Sequence, residues 1–175
     1  TIVFEQNDVE VPRFWSQTAT DIVAAYYLRG ELGTHARETS ARQMVDRVVT
    51  EIRRWGLEGD YFASSVDADN FAQDLTWILI NQYAAFNSPV WFNVGTKEHP
   101  QCSACFILAV EDNMQSILAW YRDEGWIFKG GSGSGTNPSK LRSSREQLSK
   151  GGYSSGPVSF MKLADGVANA IRSGG

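Results

Sequence analysis

The only two cysteines of this 175-residue chain, Cys102 and Cys105, stand in the stretch EHPQCSACFILAV, directly before an apolar run. A Cys-x-x-Cys pair can hold a metal, close a disulfide or present one thiol to a substrate. A zinc site needs about four ligands, and the chain offers His99 nearby, the distant His35, and no second Cys-x-x-Cys. A thioredoxin-like dithiol opens a helix, whose N-terminus lowers the thiol pKa; here Cys105 leads into FILAV, a β-favouring run. If the segment is extended, three steps of ~3.3 Å separate the two Cα atoms by about 10 Å. A disulfide needs less than ~7 Å, and the odd offset turns the side chains to opposite faces. The expectation is one thiol facing a site, with Cys102 an inert, locally packed cysteine.

The second candidate is the tract GGSGSGTNPSK. It is not a Walker loop, because Lys140 does not follow a glycine and no Ser or Thr comes next. It is not a dinucleotide fingerprint either, since its glycines run G-x-G-x-G after a predicted helix. A flexible linker is the plain alternative. Against it, the tract is short and lies between two predicted helices, where glycines let backbone N–H groups approach an anion or a sugar.

The elements that must position these residues fall into two zones. Up to about Phe86 the chain reads as helical. TATDIVAAYYLRG ends at Gly30. SARQMVDRVVTEIRRWG has a Ser40/Gln43 capping box, an apolar stripe of Met44, Val45, Val48, Val49 and Ile52, and Gly56 at a cap position. VDADNFAQDLTWILINQYAAF repeats the design, starting near Asp67 or Asp69 with Phe71, Leu75, Ile78 and Gln82 on one side. From residue 87 the texture changes. NSPVWFNVG reads as a polar turn and a short aromatic run, CFILAV as a buried strand, and NMQSILAWYRDEGW as a helix. The last helix has Pro157 in its first turn, Phe160, Leu163, Ala164, Val167 and Ile171 inward, and a stop at Ser173-Gly174-Gly175. Helices followed by alternating strand and helix predict an α/β fold, divided as 1–86 and 87–175.

Composition narrows the partners. A net charge of -4 and a pI near 5.2 give no electrostatic footprint for nucleic acid. No apolar run approaches ~18 residues and no basic-then-apolar leader opens the chain, so the expectation is a soluble, cytoplasmic protein without a membrane partner. A start at Thr1 and an end on a helix-stop signal suggest a piece of something longer.

Four stretches, FNSPVWFNVG, QCSACFILAVEDNMQSI, IFKGGSGSGTNPSKLR and SSGPVSFMKLADGVANAIRSGG, occur in the order and spacing of one family. Together they closely resemble the adenosylcobalamin-dependent (class II) ribonucleotide reductases. FEQNDVEVPRFWSQTATDIVAAYYLRG is similar to the N-terminal region of their long bacterial members. The resemblance implies a helical region followed by the first part of a ten-stranded α/β barrel, most of which would lie beyond Gly175. It implies replacement of a ribonucleotide 2′-hydroxyl by hydrogen, started by a cysteine thiyl radical that adenosylcobalamin generates. Two further cysteines supply electrons and end as a disulfide.

Residue by residue, Cys105 matches the first cysteine of that reducing pair; its partner, the radical cysteine and the catalytic Asn and Glu would follow Gly175. Ser88 matches a hydroxyl that holds the nucleotide phosphate. Ala104 and Cys105 match positions lining the ribose, and Gly133 matches a glycine that approaches the substrate. Asp112 matches a ribose-binding position of an effector nucleotide site at a dimer interface, and Arg142 and Lys150 match its phosphate-binding positions. For Asp112 the plain reading is a helix N-cap, and for Arg142 and Lys150 a solvated charge. The implied partners are a ribonucleotide diphosphate, an effector nucleotide, a dithiol reductant such as thioredoxin, the rest of the enzyme (as one chain or a split subunit) and a second copy. No cobalamin-binding residue is assigned. Two alternatives stay open: a non-catalytic nucleotide-binding module, and a small zinc protein built on His99, Cys102 and Cys105.

Overall fold

The computed structural model describes residues 4–171, so the glycine stop at Ser173–Gly175 lies outside the described residues. The chain divides into two compact units, Thr1–Cys102 and Ser103–Gly175. No helix among the described residues is long and apolar enough to cross a membrane.

The first unit is helical. Helix α1 (Gln17–Ile22) is capped by Ser16, whose hydroxyl accepts from Ala19 N, and runs into a π-helical turn at Val23–Tyr27. Helix α2 (Ala41–Glu58) starts where Ser40 Oγ accepts from Gln43 N at 3.0 Å, and the Gln43 side chain reaches back to Thr39 N at 2.7 Å. Its Met44, Val45, Val48 and Val49 are buried, as the spacing predicts, and Ile52 packs against them. Gly56 is not the cap. The helix runs on to Glu58, and Gly56 is buried inside it because a Cβ there would stand 2.2 Å from the Phe62 ring.

Helix α3 (Ser65–Ile80) is capped by Ser64, which accepts from Asp67 N. Its inward line is Ala68, Ala72, Leu75 and Leu79, one step round from the predicted stripe; Gln82 lies past the helix end, exposed, with φ 61°. Ala68 is fully buried. The stretch read as a turn is helix α4 (Ser88–Asn93), with Pro89 in its first turn and Val90 and Trp91 in the core.

The second unit is a β-α-β arrangement. Strand β1 (Cys105–Leu108) and strand β2 (Gly133–Thr136) pair in parallel, with register Cys105↔Gly133 through Leu108↔Thr136. Parallel neighbours need a crossover, and helix α5 (Met114–Lys129) supplies it. Helix α6 (Pro157–Ala170) packs on α5, burying Ala164 with Phe160 and Val167 against Val110, Ile117, Trp120 and Tyr121. Leu163 is 53% exposed rather than inward. Nor is β1 buried on both sides: its pattern alternates, and Ile107 is 85% exposed.

Candidate active site

The glycine tract is a strand with two unlike faces. The hydroxyls from Ser132 to Thr136 each find a partner: Ser132 Oγ donates to Ser103 O, Ser134 Oγ to Glu124 Oε1 at 2.6 Å, and Thr136 Oγ1 to Leu108 O at 2.9 Å. Gly133 and Gly135 alternate with these and so share the opposite face. A Cβ on Gly133 would stand 4.0 Å from Cys105 Sγ and 3.7 Å from Ala104 O; one on Gly135 would stand 3.5 Å from Ile107 Cδ1. Gly133 therefore leaves bare backbone beside the thiol, and Gly135 leaves it beside Ile107. Gly131 does different work. With φ 90° it closes α5 in a Schellman-type turn, Gly131 N donating to Phe128 O and Ser132 N to Ile127 O.

Cys105 is exposed and opens β1, and Gly133 N donates to Ala104 O at 2.7 Å. The expected ribose-lining set Ala104, Cys105 and Gly133 is thus adjacent across one register pair. Behind it, Glu124 on α5 is 7% exposed; one carboxylate oxygen accepts from Ser134 and the other, Oε2, has no partner among the described residues. Cys102 differs from Cys105 in every respect. It belongs to the first unit, packs against that unit's core, and lies with Sγ 3.6 Å from Pro100 O. Burial pushes its thiol pKa up, which favours the protonated form over the nucleophilic thiolate. Among the described residues no three His, Cys, Asp or Glu side chains are placed to hold a metal ion.

Ser88 lies in the first unit, at the start of α4 and half-buried. Its hydroxyl is 2.9 Å from Tyr27 Oη, and the Tyr27 ring stacks on Phe92, one turn along α4, at 5.3 Å between centroids. The Arg29 guanidinium lies 5.0 Å over the Phe92 ring. Burial, then the neighbouring Arg47 charge, lower the Arg29 pKa, although the Glu38 carboxylate counters them. Glu38 itself pairs with Arg47 at 2.7 Å.

Asp112 and Arg142 meet. Arg142 Nε donates to Asp112 Oδ2 at 2.6 Å and its backbone N to Oδ1 at 3.3 Å, across 30 positions of sequence. The Arg142 hydrogen bonds hold the Asp112 carboxyl below its ordinary range. Asp112 is not the cap of α5: that is Asn113, which accepts from Ser116 N. Lys150 is exposed in the turn of a small hairpin closed by the Gln147↔Tyr153 bridge, with Gly151 and Gly152 beside it at positive φ.

Three features escaped the sequence reading: the Tyr27 hydroxyl, Glu124, and the row Ser132, Ser134, Thr136. A signal for the last was present, because glycine and hydroxyl residues alternate with period two from Gly131 to Thr136. No local signal marks Tyr27 or Glu124, whose partners come from elsewhere in the chain.

Two family models match. Residues 103–175 match the ribonucleotide reductase barrel domain, and residues 1–36 and 30–82 match a family described as class II vitamin B12-dependent ribonucleotide reductase. The chain is 56% identical over 175 residues to the vitamin B12-dependent ribonucleotide reductase of Streptomyces avermitilis, covering 100% of this chain and 18% of that protein. It is 44% identical over 202 residues to the Rhodopirellula baltica protein of the same description, covering 99% and 19%. A vitamin B12-dependent ribonucleoside-diphosphate reductase of Mycobacterium tuberculosis is 32% identical over 151 residues, covering 86% and 21%. Among solved structures, the alpha subunit of a class Id ribonucleotide reductase from Actinobacillus ureae has a TM-score of 0.65 at 22% identity, over 90% of this chain and 26% of that one. That likeness is one of fold: helical region and β-α-β unit correspond to part of a reductase α/β barrel subunit.

Proposed function

The chain belongs to the class II, vitamin B12-dependent ribonucleotide reductases, and on that premise we propose that it supplies one wall of a ribonucleotide-reducing site within a longer or split enzyme. The observation that carries this reading is the pairing of an exposed thiol, Cys105, with a glycine strand whose side chains all turn away from it. A sugar can approach such a surface closely, meeting one sulfur and bare backbone.

In this role Cys105 is one of two thiols that deliver electrons. The pair gives up two hydrogens, a sulfur–sulfur bond forms, the ribose C2′–OH bond breaks, and water leaves while hydrogen takes its place at C2′. Ala104 and Gly133 face the ribose, Ser88 donates its hydroxyl proton to a phosphate oxygen, and Cys102 stays outside the chemistry. A diphosphate substrate is the choice that the names of two relatives suggest. A dithiol such as thioredoxin then restores the thiols by exchange, and the cytoplasm keeps them reduced.

The cofactor in the family's name supplies, when bound, the radical that starts the reaction. The side chains described here do not identify a corrinoid seat: His35 and His99 are both exposed on loops, so no step is assigned to residues of this chain through that group. Asp112 and Arg142 form a ready-made effector contact, Asp112 for a ribose hydroxyl and Arg142 for a phosphate, with Lys150 adding charge from its hairpin. A dimer would bring that contact to an interface.

The test is a pair of substitutions in the full-length reductase carrying this sequence. Cys105→Ser should abolish multiple turnovers driven by a dithiol, whereas Cys102→Ser should leave most of the activity. Equal losses from both would defeat the assignment.

A further inference from the structure

We propose that Tyr27 is a positioning residue that aims the Ser88 hydroxyl at the substrate phosphate, an inference that rests on the phosphate-binding role given to Ser88 above. A phosphate oxygen can only accept, so Ser88 must spend its single proton on the ligand, which leaves its own lone pairs to be served from the protein side. Tyr27 Oη, at 2.9 Å and half-buried, is the group placed to serve them. Between two bare hydroxyls the proton can lie on either atom. An anion beyond Ser88 fixes the direction: Tyr27 donates to Ser88, Ser88 donates outward, and each bond polarises the next.

The position of that phenol is built with unusual care. Tyr27 ends a π-helical turn in which Leu28 N reaches Val23 O at 3.1 Å. Such turns are rare and concentrate at functional sites. The ring is fixed by its near-parallel stack on Phe92, 17° between planes. The Tyr27 carbonyl accepts from Arg29 Nε at 3.3 Å, and the same guanidinium covers Phe92. Ser88 and Phe92 are one turn apart on α4, so a single helix face presents the hydroxyl and the ring to one tyrosine. Packing alone would be satisfied by phenylalanine. The hydroxyl is the part that packing does not explain.

The experiment uses the full-length reductase with Tyr27→Phe, Ser88→Ala and the double substitution, measuring kcat and KM for a ribonucleoside diphosphate. Tyr27→Phe keeps the ring stack and removes only the phenol oxygen. Loss of one hydrogen bond predicts a KM raised roughly three- to tenfold with kcat little changed. Ser88→Ala should raise KM at least as much, and the double variant should be no worse than Ser88→Ala. Competitive inhibition by the unphosphorylated ribonucleoside, which has nothing for Ser88 to hold, should be the same in wild type and Tyr27→Phe; a general loosening of the site would weaken it. If Ser88→Ala raises KM while Tyr27→Phe leaves it at the wild-type value, or if the two losses add in full, Tyr27 does not act through Ser88 and the inference falls alone. If Ser88→Ala leaves KM unchanged, the phosphate role of Ser88 falls and takes the inference with it.

Discussion

Replacing Gly133 by alanine separates the stability of β2 from its use. The added methyl would lie 3.7 Å from Ala104 O and 4.0 Å from Cys105 Sγ, both ordinary contact distances, and Gly133 is absent from the positive-φ glycines. Nothing has to move. Glycine in mid-strand is less stable than alanine by about 0.5–1 kcal/mol, and Gly133 opens β2, so Gly133→Ala should gain less than that and leave the second unit as stable or slightly firmer. Its effect on turnover should have the opposite sign. The methyl occupies the space beside the sulfur that the ribose is proposed to fill, and a displacement of about 1 Å at a reacting centre can lower the rate about 10²-fold. Three measurements on the full-length reductase decide it: resistance of residues 103–171 to proteolysis, rate of alkylation of the Cys105 peptide read by mass spectrometry, and dithiol-driven turnover. Unchanged protection with slower alkylation and turnover lower by one to two orders of magnitude is the expected result. Wild-type turnover in Gly133→Ala would refute the claim that a bare backbone is needed there. Lost protection would refute the steric argument instead.

Two further substitutions test other parts of the structure. Gly56→Ala puts a methyl 2.2 Å from the Phe62 ring inside α2; overpacking of this kind costs typically 1–3 kcal/mol, and a chemical-denaturation series should find the first unit destabilised despite the better helix propensity of alanine. For Asp112, whose carboxyl is depressed from 3.8 by Arg142, the pair contributes above the unfolded-state pKa and fades as pH falls through the lower folded value. With both side chains about one-third exposed, Asp112→Asn should lose no more than about 1 kcal/mol at pH 7, and its deficit against wild type should close below about pH 4. A deficit that grows on acidification would reverse the sign of the linkage.

Much of the helical frame was legible because it is local. The apolar spacing of α2, the Ser40 cap and the Pro157 start of α6 are all determined within one or two turns, and the residues needed are consecutive in sequence. The errors have physical causes of the opposite kind. Gly56 reads as a cap until the Phe62 ring is seen to need its space. The α3 stripe is displaced because its inward line includes two alanines, Ala72 and the fully buried Ala68, and an apolar-spacing rule undervalues so small a side chain. Tract 131–136 has almost no intrinsic strand preference; it forms a strand because Cys105–Leu108 offers a parallel partner and α5 offers Glu124 to Ser134. The site residues themselves came from resemblance, since a lone cysteine, serine or glycine has no period to read.

The alternation in β2 also explains why this strand can be so poor in side chains and still hold its place. A strand normally gains its stability from apolar residues on at least one face, and β2 has none. Its substitutes are three hydroxyl hydrogen bonds, two to carbonyls flanking or within β1 and one to a buried carboxylate on α5. The two to carbonyls are each worth only about 0.5–1.5 kcal/mol net, and the one to the carboxylate about 1.5–3 kcal/mol. Because each is directional, together they fix a register that a glycine-rich strand would otherwise specify weakly. Register is what the proposed chemistry needs. A slip of one residue would bring Ser132 or Ser134 beside the Cys105 sulfur and turn the glycines towards α5. The comb of hydroxyls on the far face is therefore the condition for a bare surface on the near one.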